Sequence, residues 1–185
     1  MPSIKGITWE RLEREDSVTY PVESVNEPGD EVIFGDGFPT ADGRAKFVPT
    51  SLVPPDEMPD EEFPMILTTG RLLEHWHTGT MTRRSFVLDT LEPEAVAHLN
   101  PDDIKRYGLK PGGIVTVGTR RGDISLKVRL DQGVSPGVIF IPFCYAEAPA
   151  NELTNPALDP FGKIPELKFC AARIEHAAHR VAAAE

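Results

Sequence analysis

Between Thr68 and Ser85 the chain gathers the residue types that grip anions. Thr68-Thr69-Gly70-Arg71 is followed closely by His75-Trp76-His77-Thr78-Gly79-Thr80-Met81-Thr82-Arg83-Arg84-Ser85. Threonine hydroxyls and backbone N–H groups bind phosphate oxygens, and glycine lets a backbone come close to a ligand. The arginine fork matches phosphate geometry. The chain as a whole has a formal net charge of -10, so a run holding Arg71, Arg83 and Arg84 reads as an anion site in an acidic protein. The ordinary alternative is that Thr69-Gly70 ends a strand and Arg71 is solvated. On a strand, His75 and His77 would put both rings on one face, a spacing that suits zinc or copper. No other His or nearby acid completes such a site, which leaves hydrogen bonding to a ligand or a packed polar loop.

Three further stretches carry polar chemistry. Asn151 and Thr154 sit in a loop bounded by Pro149 and Pro156, where an Asn side chain can donate and accept, or simply close an Asx turn. Lys168 opens the last strand, either as a cation near a phosphate or as an edge-strand charge. Arg120-Arg121-Gly122 reads as a charged hairpin turn, and Glu147 and Glu152 have no evident acid–base partner.

The elements that must position these residues are mostly strands. The chain has 185 residues, 40% of them hydrophobic, enough for one ordinary core. Its 18 Pro and 15 Gly punctuate it into short pieces. Residues 1–62 read as an N-terminal arm and linker. A short helix is expected around Glu10–Glu15, and a hairpin of Val32–Phe38 with Ala45–Val48 about Asp42-Gly43. In Pro54–Glu62 the prolines block ladder donors and the acids stay solvated. From Phe63 a compact domain follows to residue 176, with a tail over 177–185. Strands are expected at Pro64–Thr69, Ile114–Thr119, Ile124–Leu130, Pro136–Pro142 and Phe169–Glu175. A helix from Pro101 is capped by Asn100 and ended by Gly108. Many short strands with Gly/Pro turns point to a mainly β protein with a closed barrel. His176-Ala177-Ala178-His179 reads as the start of a fraying helical tail.

Composition also excludes partners. An acidic balance argues against nucleic acid, and no apolar run is long enough for a membrane span. The two cysteines, Cys144 and Cys170, stand apart in apolar surroundings. They offer no Cys-x-x-Cys site for iron–sulfur or zinc, and without an export signal a disulfide is not expected.

Residues Phe63 to Ile174 resemble the C-terminal molybdopterin-dinucleotide-binding domain of molybdenum and tungsten oxidoreductases, in particular that of the formate dehydrogenase catalytic (alpha) subunit. The carrying motifs are Leu67-Thr68-Thr69-Gly70-Arg71, His75 to Arg83, Asn100-Pro101-Asp102-Asp103, Arg120-Arg121-Gly122, Asn151 to Pro160, and Lys168-Phe169-Cys170-Ala171. Upstream, Phe38 to Phe47 and Ile4 to Glu13 resemble internal stretches of the same subunit. The resemblance implies a double-psi β-barrel of the aspartate-decarboxylase-like kind, with a few short helices and an extended N-terminal arm. It implies molybdopterin guanine dinucleotide, in bis form with Mo or W, as the cofactor of a full enzyme that oxidises formate to CO2 by two electrons. Contacts carried over are Thr69, Gly70, Arg71, His75, His77, Thr78, Gly79, Thr80, Arg83, Asn151 and Lys168, with no catalytic residue and no metal ligand. The iron–sulfur cluster and the metal-ligating Cys or selenocysteine would lie in upstream domains, or in a partner chain carrying them. The chain would then be a fragment, inactive alone, with electron-transfer subunits as further partners and a cytoplasmic location. Competing readings are another oxidoreductase of this group such as a nitrate reductase, a stand-alone non-catalytic barrel, or a His-based metalloprotein.

Overall fold

The computed structural model describes residues 1–176, so the expected tail and the helix running on from His176 lie outside the described residues. The chain divides into two compact units, Met1–Leu52 and Val53–Glu185.

In the first unit α1 (Trp9–Glu15) is capped by Thr8, whose hydroxyl accepts the Arg11 N–H at 3.2 Å. Its inward face is held by charge rather than apolar surface. Arg11 is buried and donates to the carbonyls of Gly6, Ser24 and Glu27 at 3.2, 3.2 and 2.7 Å, and to Glu15 at 2.9 Å. The expected hairpin forms only its turn. Asp42 accepts from the Thr40 hydroxyl and the Arg44 N–H, both at 3.1 Å, and Gly43 takes φ +69. The flanking segments form no strands. Val32, Ile33 and Phe47 are exposed, and a two-stranded ribbon without a covered apolar face is marginal in water.

The second unit is a closed six-stranded barrel. β1 (Met65–Gly70) is followed by α2 (Phe86–Leu91), β2 (Val96–Leu99), α3 (Pro101–Arg106), β3 (Ile114–Gly118), β4 (Asp123–Leu130), β5 (Val138–Pro142) and β6 (Cys170–His176). Around the barrel the order is β1-β5-β2-β4-β3-β6. Two crossing pairs, β1 with β5 and β2 with β4, are parallel, and the remaining pairs are antiparallel. This is the mainly β, double-psi arrangement that the resemblance implied. Alternation fills the interior: Met65 and Leu67, Val115 and Val117, Ile139 and Ile141 point inward and are fully buried, as period-2 strands require.

Two elements were not legible from pattern. β2 is buried at all four positions, so no alternation marks it. α2 leaves Phe86, Val87 and Leu91 exposed and so has no apolar stripe facing the core. By contrast α3 begins as its sequence dictates, with Asn100 Oδ1 accepting the Asp102 N–H at 2.9 Å and Pro101 in the first turn.

The acids before β1 do not all remain solvated. Glu57 bonds to both Arg120 and Arg121 in the β3–β4 turn, and Asp60 to Arg120. The guanidiniums of Arg120 and Arg173 both lie over the Phe63 ring, 4.5 and 4.9 Å from its centre. Segment 57–63 is thereby strapped to the barrel wall rather than left as a free linker.

Candidate functional site

The run after β1 is an irregular loop, not a strand, so His75 and His77 do not share a face. The φ of +48 at His77 turns the chain between them. The two rings go to different places. His75 is buried at 1% exposure, edge-on to Tyr145 with centroids 5.7 Å apart. Its Nε2 is 2.7 Å from the Glu92 carbonyl oxygen, which can only accept, so Nε2 carries the proton. Nδ1 then accepts from the Thr82 hydroxyl at 3.3 Å, and that hydroxyl oxygen accepts the Trp76 N–H at 3.0 Å. His75 is therefore a brace that ties the loop's start to its end. His77 lies against Trp76 at 4.5 Å, and Arg71 Nη2 donates to its Nε2 at 3.4 Å.

Arg83 is also a brace. Its Nε donates to Asp89 at 3.0 Å, Nη1 to both Glu147 oxygens at 2.6 and 2.7 Å, and Nη2 to the Pro93 carbonyl at 3.1 Å. The guanidinium also lies 4.8 Å from the Tyr145 ring centre. Burial works against its charge, but Glu147 and Asp89 outweigh that and push its pKa up. Glu147, unpartnered on the sequence reading, thus has Arg83. Burial of the Tyr145 phenol, with its hydroxyl donating to the Glu92 carbonyl at 3.0 Å, raises its pKa. Both cysteines are free and buried, and burial raises both thiols.

The end of β1 is closed by the approach to β6. Lys168 Nζ donates to the Thr69 carbonyl at 2.6 Å, and the Thr69 hydroxyl donates to the Leu167 carbonyl at 3.0 Å. The Gly70 carbonyl accepts the Phe143 N–H at 3.2 Å. Beyond this clasp Arg71, Thr78 and Thr80 are exposed, the two threonine hydroxyls joined to each other at 3.0 Å. Gly79 has φ +73 and packs under Arg83. The candidates therefore fall into two groups. Thr69, Lys168, His75, Gly79 and Arg83 build the loop's frame, and Arg71, His77, Thr78 and Thr80 hold donors on its outer side.

Asn151 stands apart. It is exposed in a short 3-10 turn, Ala150–Leu153, and its side chain makes no hydrogen bond among the described residues. Only its carbonyl is used, by the Thr154 hydroxyl at 2.9 Å. The loop beyond is organised by residues that the sequence reading passed over. Asn155 is buried, its Nδ2 donating to Glu166 at 2.8 Å and its Oδ1 accepting the Ala157 N–H at 2.8 Å. Asp159 accepts the N–H groups of Phe161, Gly162 and Ile164 at 3.0, 2.7 and 2.6 Å. The Asn-Pro and Asp-Pro pairs in that stretch are turn signals that mark both residues. Nothing in sequence marks the Glu92 carbonyl, the shared acceptor for His75 and Tyr145.

The carboxylates give this frame a pH dependence. His98 and the Gly133 N–H, each donating to Asp131, lower its pKa. Burial pushes Glu147 up, but its backbone N–H and Arg83 prevail and lower it. A carboxyl lowered on folding contributes stability above its unfolded value, and that stability is lost as pH falls through the folded value. The urea midpoint should hold steady from neutral pH down to the ordinary carboxylate range and then fall. In Glu147→Gln the acid fall should be shallower, and an unchanged acid limb would remove Glu147 from the account.

Comparison with known proteins adds the following. Residues 65–171 match the family described as Molydopterin dinucleotide binding domain. The chain is 44% identical over 174 residues to the F420-dependent formate dehydrogenase subunit alpha of Methanocaldococcus jannaschii, a match covering 94% of the chain and 26% of that protein. It is 41% identical over 174 residues to the formate dehydrogenase 1 subunit alpha of Methanococcus maripaludis, covering 94% and 26%. The periplasmic nitrate reductase of Desulfovibrio desulfuricans is 34% identical over 187 residues, covering 93% and 25%. The acetylene hydratase of Pelobacter acetylenicus superposes with a TM-score of 0.57 at 23% identity over 63% of this chain and 19% of its own, a likeness of fold. The chain spans about a quarter of the length of the curated relatives that it matches.

Proposed function

We propose, because the chain belongs to the Molydopterin dinucleotide binding domain family, that its barrel binds and orients molybdopterin guanine dinucleotide within a formate dehydrogenase alpha subunit. The observation that carries this reading is the division of labour in the Thr69–Arg83 loop. His75 and Arg83 are held by internal partners, while Arg71, His77, Thr78 and Thr80 keep donors on the outer side. A preorganised rim of that kind fits a pyrophosphate and a flat, acceptor-rich pterin. In this assignment Thr69, Gly70, Gly79 and Lys168 shape the cradle, His75 and Arg83 brace it, and Asn151 offers an amide to the pterin edge. The bound cofactor supplies the two-electron chemistry, and this chain's residues hold it in place.

Molybdenum or tungsten, the ligating Cys or selenocysteine and the iron–sulfur cluster belong, on this reading, to the rest of a longer subunit in the cytoplasm. Electron-transfer subunits would pass its electrons on. Among the described residues no helix is long and apolar enough to cross a membrane.

The test is to purify the longer subunit and assay metal, guanosine monophosphate released by acid hydrolysis, and formate oxidation together. All three should be present, and Arg71→Ala should lower the guanine content. Protein without guanine nucleotide would overturn cofactor binding. Protein that holds the nucleotide but reduces nitrate and ignores formate would keep the cofactor and move the assignment to nitrate reductase, the activity named for the 34% relative.

A further inference from the structure

On the outside of the barrel, neighbouring strands line up one row of side chains. Thr68 on β1 pairs with Phe140 on β5, and Phe140 pairs with His98 on β2. An open groove of about 480 Å3 runs beside them, with Asp131 and Val134 also on its wall. The next position along β1 on this face is Gly70, which has no side chain to cover its backbone. Phe140 covers it instead: a Cβ placed on Gly70 would lie 2.3 Å from Phe140 Cε2. An aromatic ring sheltering a strand glycine from the adjacent strand is a stabilising cross-strand pairing.

Such a ring is held more firmly in its rotamer when its other side is also blocked. His98 is that block. Its ring meets Phe140 edge-on, with centroids 5.2 Å apart and planes at 83°. His98 is itself 8% exposed, and its Nδ1 donates to Asp131 Oδ2 at 2.9 Å. Its Nε2 has no hydrogen-bond partner among the described residues, so the Asp131 bond is the hydrogen bond that orients the ring. Asp131 is in turn fixed by accepting the Gly133 N–H at 2.8 Å.

We infer that His98 is a positioning residue for the Gly70-Arg71 turn, acting through Phe140, with Asp131 holding the imidazole in place. The contacts form one chain from Asp131 to His98, to Phe140, to the Gly70 backbone. At its end Arg71 leaves β1 and points its fork toward His77. The value of this device for cofactor binding rests on the function proposed above, whereas the positioning of the turn does not.

The experiment uses the 185-residue chain and proton NMR. In the wild type the Gly70 α-proton resonances carry a ring-current shift from Phe140. His98→Ala should collapse that shift and speed amide exchange at Arg71 by on the order of tenfold, because the turn opens locally. Asp131→Ala should move both in the same direction by less. His98→Phe, which keeps a ring against Phe140 without the bond to Asp131, should restore much of the Gly70 shift, a rescue that general loss of stability would not give. If His98→Ala does not fold, Asp131→Ala and His98→Phe decide the matter. Gly70 resonances and Arg71 exchange unchanged in the folded variants would overturn the inference. Guanosine diphosphate, titrated into the wild type, tests the function separately. A wild type that ignores it while the Gly70 effect appears counts against the cofactor reading and leaves His98 as a positioning residue.

Discussion

Gly79→Ala should lower the unfolding free energy by about 2–5 kcal/mol, while the same change at Gly108 should cost only about 1–2 kcal/mol. Both glycines have positive φ, +73 and +63, so both alanines meet the left-handed penalty. They differ in surroundings. A Cβ on Gly79 would lie 2.7 Å from the Cys144 carbonyl oxygen and 2.8 Å from Arg83 Cγ, whereas at Gly108 nothing lies within 4 Å. The arginine stem could shift only by straining the bonds that hold its guanidinium, and the carbonyl belongs to buried backbone just beyond β5. The loop must therefore lift, and it is tied at both sides of Gly79 by the bonds to the Trp76 carbonyl and from the Arg83 N–H, each 2.9 Å. Lifting it pulls Arg83 away from Glu147 and displaces Thr78 and Thr80. Urea titrations of both variants decide the point, since an equal loss at both sites would show that the Cys144 contact yields freely. On the function proposed above, guanine retention in a longer subunit should fall for Gly79→Ala and hold for Gly108→Ala.

That contrast also marks the limit of what could be read from residue types. Gly79 was legible as a place where the backbone comes close to something, but the something is the protein's own Cys144 carbonyl. His75 and Arg83 carried the chemistry of ligand binding in their side chains, yet both face inward to Glu92, Thr82, Asp89 and Glu147. A sequence shows donors; it does not show which of them the fold itself consumes. The strands with alternation, β3 and β4, and the helix with a complete cap, α3, could be read because their signals are local. β2 could not, because a strand covered on both faces has lost its period, and Ala97 and His98 have weak strand preference. The first unit inverts the usual cue: α1 packs through Arg11, a charged residue whose three carbonyl partners lie up to Glu27 and are invisible to any helical periodicity. The clustering of polar donors after β1 was therefore legible, but the split between frame and rim needed the distances.

Leu153→Ala should cost about 2–5 kcal/mol, and it should do so in a way that reaches the Asn151 loop. Leu153 is 0% exposed and belongs to the barrel's buried cluster, although the 3-10 turn that bears it places Asn151 and Glu152 at the surface. It is the plug by which that loop is held. Its carbonyl is held as well, accepting from Arg121 Nε and Nη2 at 3.3 and 2.9 Å, while Arg121 also binds Glu57 in the strap before β1. Side chain and carbonyl thus fix one residue from two directions. Removing the side chain leaves a cavity that the closed barrel cannot readily collapse, and the loop loses its apolar anchor while Arg121 still grips the backbone. Arg121→Ala removes the other hold. Because the two act on one residue, the double variant should depart from the sum of the single losses by about 0.5–3 kcal/mol. Additive losses would mean that the two holds are independent and that Asn151 is placed by something else. If the coupling appears, Asn151 reaches its position through the core beneath it, and on the function proposed above cofactor affinity in a longer subunit should weaken in Leu153→Ala although Leu153 is none of the residues assigned to the cofactor.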